Sequence, residues 1–207
     1  MSTRTLARRA ALAGVALTAV VALAACGGGH STDGGHGRPA AGAAPSGASA
    51  ADPADVSFAQ MMIPHHQQAV RMSELAGSRA ADPEVSRLAA QIRAAQAPEI
   101  ATMTGWLTGW GRPVPSDGPA GGHLPGTDHG MPGMMSDADL ARLEGATGRD
   151  FDRRFLTMMI AHHEGAVTMA RQELADGRHA GARDLAQQIV SSQQREIDTM
   201  RKILARL

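Results

Sequence analysis

The chain has 207 residues, 20 basic and 20 acidic, with a pI near 7.1, one cysteine and no tyrosine. That length suits one or two domains, and one cysteine excludes a disulfide framework within the chain. The balanced charge leaves no basic excess of the kind nucleic-acid binding calls for.

Arg4, Arg8 and Arg9 precede an apolar, small-residue run from Ala10 to Ala25. The run is too short to span a bilayer as a stable helix, so residues 1–25 read as a secretory signal. The segment ends Leu23-Ala24-Ala25-Cys26, which resembles a bacterial lipobox, in which the cysteine is acylated. An ordinary signal with an incidental thiol is the alternative, but an unpaired thiol is a liability in an exported protein. Lipidation at Cys26 would hold the chain at the cell surface, on the outer face of the cytoplasmic membrane. Arg8-Arg9 fits a twin-arginine signal poorly. Loss of residues 1–25 removes three arginines and leaves 17 basic against 20 acidic residues, a net charge near −3. Nucleic acid is therefore not an expected partner; the membrane is.

Residues 26–51 are the anchor and a Gly/Ala/Ser/Pro tether with His30 and His36 in it. Asp52-Pro53 is an N-cap followed by proline at the first helical position, and predicts a helix to about Ala76, ended by Gly77. Asp82-Pro83-Glu84 repeats the signal and predicts a helix to about Trp110. Residues 111–135 are a Gly/Pro-rich linker carrying His123, His129, Met131, Met134 and Met135. Ser136 to Asp139 reads as a capping box for a short helix that stops at Gly148. Two further helices follow, from about Asp150 to Asp176 and from His179 to Arg206.

The segments FAQMMIPHHQQAVRM (58–72) and FLTMMIAHHEGAVTM (155–169) match at an offset of 97. The same offset aligns Leu88, Ile92, Gln96, Glu99, Met103 and Leu107 with Leu185, Ile189, Gln193, Glu196, Met200 and Leu204. Each half (52–110 and 136–207) is thus one helical hairpin, and two hairpins predict an all-α four-helix bundle with one short extra helix in the connection. Pro64 and Pro98 face Ala161 and Arg195 in the other half, and a proline inside a helix costs about 3 kcal/mol or kinks it.

At about 100° per residue, Met61, Met72, His65, Phe58, Ala69 and Met62 fall within an arc of about 100°, with His66 at its border. Glu99, Ile92, Met103, Gln96 and Leu107 share a face of the second helix. The second half repeats this with His162, His163, Glu196, Gln193 and Met200. A stripe that must be buried therefore carries imidazole, carboxylate and amide, and burying these without partners costs several kcal/mol. Either a His–Glu hydrogen-bond network or a metal meets that cost. Thioether sulfur is a soft donor suited to Cu(I), and imidazole takes copper in either oxidation state. Core filling explains some of the methionines, but not Met131, Met134 and Met135 in a Gly/Pro linker. Met61–His65 and Met62–His66, each four residues apart, can chelate from one helix.

The doubled Met-Met-Ile-x-His-His with a following Ala-Val-x-Met, joined by Gly-Met-Met-Ser, closely resembles the domain of unknown function 305 family over residues 52–207. The resemblance implies a ferritin-like bundle and export. It also implies copper binding through Met61, Met62, His65, His66, Met158, Met159, His162 and His163; Glu99, Glu196, Met103 and Met200 complete the candidate set from the inward faces. The expected role is copper capture, buffering or tolerance, with Cu(I) favoured, no catalysis, and copper-handling proteins as possible partners. Two alternatives stand beside it. A ferritin-like di-iron oxidase would want Glu-x-x-His pairs, and neither Glu99 nor Glu196 has a histidine three residues on. A non-metal structural or interaction bundle would use the His–Glu network only as core.

Overall fold

The computed structural model describes residues 51–115 and 131–207. The expected secretory signal (1–25), Cys26, His30, His36, His123 and His129 lie outside the described residues. Five helices and no strand occur among the described residues: α1 Pro53–Arg79, α2 Pro83–Gly109, α3 Asp137–Glu144, α4 Gly148–Asp176 and α5 Ala180–Arg206. The fold is all-α, a helical bundle of four long helices with the short α3 in the connection. No helix among the described residues is long and apolar enough to cross a membrane.

The local signals explain the helix starts. Asp52 accepts a hydrogen bond from the Ala54 amide and Asp82 from the Glu84 amide, each followed by proline at the first helical position. Ser136 and Asp139 form a reciprocal capping box on α3. His179 caps α5 with its ring: Nδ1 accepts from the Ala182 amide at 3.1 Å. Each such cap is worth about 1 kcal/mol.

Two ends differ from the sequence-based expectation. Gly77 does not stop α1, which runs on to Arg79 with Ala80 as its C-cap. The short helix ends at Gly145, and Gly148 opens α4 instead of closing α3. Gly148 sits at φ +63°, where a side chain would be strained. The proline positions leave the helices continuous: α1 runs through Pro64 and α2 through Pro98.

α1 packs on α2 and α4 on α5, and the hairpins meet mainly along α1 and α4. The core divides into two apolar lobes. One holds Ala69, Met72, Ile92, Phe151, Phe155, Met159 and Met200; the other holds Phe58, Met62, Ile63, Met103, Ala166, Met169 and Ile189. α1 enters the second lobe with its N-terminal half and α4 with its C-terminal half, so the two run antiparallel through the centre. Phe151 and Phe155 stack at 5.8 Å and are fully buried; each contributes about 1.5–3 kcal/mol of burial.

Two carboxylates fasten one hairpin to the other. Asp55 on α1 accepts from the Arg178 and His179 amides at the start of α5, both at 3.0 Å. Asp152 on α4, 97 positions later, accepts from the Ala81 and Asp82 amides ahead of α2, at 3.2 and 2.9 Å. Arg206 closes the far edge on Asp82 and Glu84 at 2.6 and 2.7 Å, and holds the Asp82 carboxyl down at about 2.

Candidate metal centre

Between the two apolar lobes lies a polar layer. Each long helix supplies it one turn: His65 and His66 from α1, Gln96 and Glu99 from α2, His162 and His163 from α4, Gln193 and Glu196 from α5. All four histidines are fully buried. His66, expected at the border of the stripe, is as buried as His65. The reason is tertiary: α1 is covered by α2 on one side and α4 on the other, so its buried arc is wider than one stripe.

The rings meet across the hairpins. His65 and His162 lie with ring centroids 3.7 Å apart and planes at 35°, and His162 and His163 at 6.4 Å. His66 Nε2 donates to Glu99 Oε2 at 2.6 Å, and His163 Nε2 donates to Glu196 Oε2 at 2.7 Å. The carboxylates therefore engage the second histidine of each pair, not the first. His65 Nε2 donates to the Pro132 carbonyl at 3.1 Å.

These bonds fix the ring protons. A carboxylate or carbonyl only accepts, so Nε2 carries hydrogen in His65, His66 and His163. Their Nδ1 atoms, and both nitrogens of His162, are buried with no hydrogen bond of proper geometry among the described residues. Burial, then the neighbouring His66 ring, pushes the His65 imidazole down to about 3. Burial, then His65, pushes His162 well below its ordinary value, with the His65 carbonyl opposing. The His65–His162 pair is thus held neutral, with ring lone pairs available. Both amide atoms of Gln96 and the Gln193 oxygen are also buried without partners. Each such atom costs about 1–3 kcal/mol, and buried polar atoms of this kind ordinarily meet a water or an ion.

The thioethers border this layer. Met62 and Met159 are fully buried one turn before His65 and His162, and Met103 and Met200 are buried on α2 and α5. Met61 and Met158 are half-buried; Met158 lines a cleft of about 270 Å³ with Asp139, Arg142, Arg153, Arg154 and Thr157. Among the described residues, no three His, Cys, Asp or Glu side chains converge as a metal site. A metal in this layer would therefore need thioether, amide or backbone donors beside the imidazoles, a donor set softer than iron or zinc favours.

The sequence pattern of the domain of unknown function DUF305 matches residues 55–204. The chain belongs to the DUF305 family. Three similar structures share the fold. A Streptomyces coelicolor DUF305 protein, assigned as secreted, is 38% identical; the match covers 74% of this chain and 93% of that one at a TM-score of 0.66. A Deinococcus radiodurans DUF305 fragment is 35% identical over 76% and 99%, also at 0.66. CopM in its Cu(I)-bound form is 34% identical over 73% and 96%, at 0.60, and CopM is also known in Cu(II)-bound, silver-bound and apo forms. No curated protein sequence matches the chain significantly.

Three residues described above lay outside the sequence-based candidates. Asp55 and Asp152 were findable: an acidic residue recurs at the 97-residue offset beside the apolar stripe. Pro132 was not, because nothing in a Gly/Pro segment says which helix it crosses.

Proposed function

We propose that this chain is an exported copper-binding protein that captures or buffers copper through the His/Met layer. The observation that carries the reading is the set of four buried imidazoles whose Nδ1 atoms lack partners among the described residues, three of them oriented by an acceptor on the opposite nitrogen. Acceptors behind a metal-binding histidine ordinarily set its tautomer and raise its basicity in this way. In this reading His65, His162, His66 and His163 hold copper through ring nitrogen. Met62 and Met159 supply thioether, with Met103, Met200, Met61 and Met158 as further sulfur donors. Glu99 and Glu196 orient His66 and His163. The soft donor set favours Cu(I) over iron, and copper is the cargo, not the agent of a reaction. The copper- and silver-bound forms of CopM, about a third identical to this chain, support the reading. The Leu-Ala-Ala-Cys sequence at 23–26 supports export and lipid anchoring at Cys26.

The test is an anaerobic Cu(I) titration of the full chain against a chromophoric competitor, with elemental analysis of the purified protein. Saturable binding should fall in His65→Ala and His162→Ala while helix content survives. Wild-type titration by both variants would sink the proposal. One observation favours a second reading, a purely structural layer: three of the four rings already have an acceptor. There the same substitutions would destabilise the metal-free protein and leave metal uptake unchanged.

A further inference from the structure

Residues 131–135 of the connection between the hairpins lie across the histidine layer. Three features hold it. The Pro132 carbonyl accepts from His65 Nε2 at 3.1 Å. The Gln68 side chain pairs with the backbone of Met135 in both directions: Nε2 donates to the Met135 carbonyl at 2.9 Å, and Oε1 accepts from its amide at 2.8 Å. On α4, Gly165 makes room: a Cβ there would overlap the Pro132 carbonyl. Gly133, at φ +76°, packs so closely that its own Cβ would stand 3.0 Å from the His162 carbonyl oxygen and 3.1 Å from the Gly165 Cα.

Gln68 and Gly165 are equivalent positions, 97 residues apart. The two fifteen-residue segments share Phe, Met, Ile, His, Ala and Val at nine positions and differ at six; at this one, one half carries a long amide and the other no side chain. Core packing does not require that difference, since Gln68 is only half-buried. The segment does require it: one helix binds its backbone and the other lets the backbone touch. The contact is made to the ring of His65, whose acceptor is a main-chain carbonyl and not a carboxylate.

We propose that Gln68 and Gly165 are positioning residues that hold 131–135 as a strap over the His65–His162 pair, and that copper enters and leaves at the rate at which the strap lifts. The proposal rests on the copper reading above. Asymmetry then has a purpose: a two-fold layer is closed on one side by a single covalent segment. The strap bonds are few and only part-buried, which is the low-stability end from which opening segments are drawn.

The experiment uses the full chain. Hydrogen exchange reports the Met135 amide, and an anaerobic Cu(I)-loaded sample is mixed with excess chromophoric chelator to read the release rate. Gln68→Ala should lose Met135 protection, keep the wild-type copper stoichiometry and helix content, and release copper roughly tenfold faster, the factor expected for two lost neutral hydrogen bonds. Gln68→Glu, which keeps the acceptor for the Met135 amide and loses the donor to its carbonyl, should fall between. Gly165→Ala should also speed release; if it fails to fold, the Gln68 pair decides alone. Loss of Met135 protection with an unchanged release rate would overturn the strap and leave the copper reading intact. An unprotected Met135 amide in the wild type would do the same. A wild-type chain that binds no copper would overturn both.

Discussion

Glu173 on α4 is 2% exposed and Asp55 on α1 is 2% exposed. Neither Glu173 oxygen has a donor partner among the described residues, because two carboxylates have no donor between them unless one keeps a proton. Burial first, then the hydrogen bond with Asp55, raises the Glu173 carboxyl from 4.5 to about 8; Arg183 opposes this, and Asp52 adds to it. The unfolded chain releases this proton near 4.5, whereas the folded chain keeps it to about 8. Between those values the unfolded state binds fewer protons, so stability falls as pH rises. At about 1.4 kcal/mol per pH unit, the cost by pH 7 is about 3 kcal/mol. Glu173→Gln mimics the protonated acid and removes the dependence. The assay is chemical denaturation of both proteins at pH 5, 6, 7 and 8. The variant should match the wild type near pH 5 and gain about 3 kcal/mol over it by pH 7. Parallel stabilities across that range would refute the argument, since Glu173 would then titrate as an ordinary surface acid.

Two further outcomes follow from single contacts. Asp152→Ala removes the acceptor for the Ala81 and Asp82 amides, and should lower unfolding free energy by about 2 kcal/mol; a loss below about 0.5 kcal/mol in urea unfolding would mean those amides find water as readily. Glu99→Ala leaves His66 Nε2 without its acceptor; Cu(I) affinity should drop about 10- to 100-fold by competitive titration, and an unchanged affinity would place His66 outside the copper site.

Most of the helical frame was legible because its signals are local. Asp52-Pro53 and Asp82-Pro83 announce their helices through unsatisfied amides in the first turn, and Ser136 and Asp139 satisfy each other's. Gly77 misled because glycine permits a helix end without requiring one; α1 continued to Arg79, whose guanidinium reaches the Ala146 carbonyl. Gly148 does use positive φ, but to start α4.

The inward placement of His65, His162 and Gln96 also followed from helical periodicity, since spacing along one helix fixes the angles between its side chains. Periodicity cannot say which neighbour covers which edge of that arc. Tertiary packing decided that His66 is buried as deeply as His65, and that Glu99 turns to His66. It also decided that His65 meets His162 across the hairpins and that the Pro132 carbonyl accepts from the His65 ring. Those contacts join residues 33, 67 or 97 positions apart. Side-chain angles around one helix therefore set what each helix could offer, and the way α1 and α4 cross set what the offered groups met.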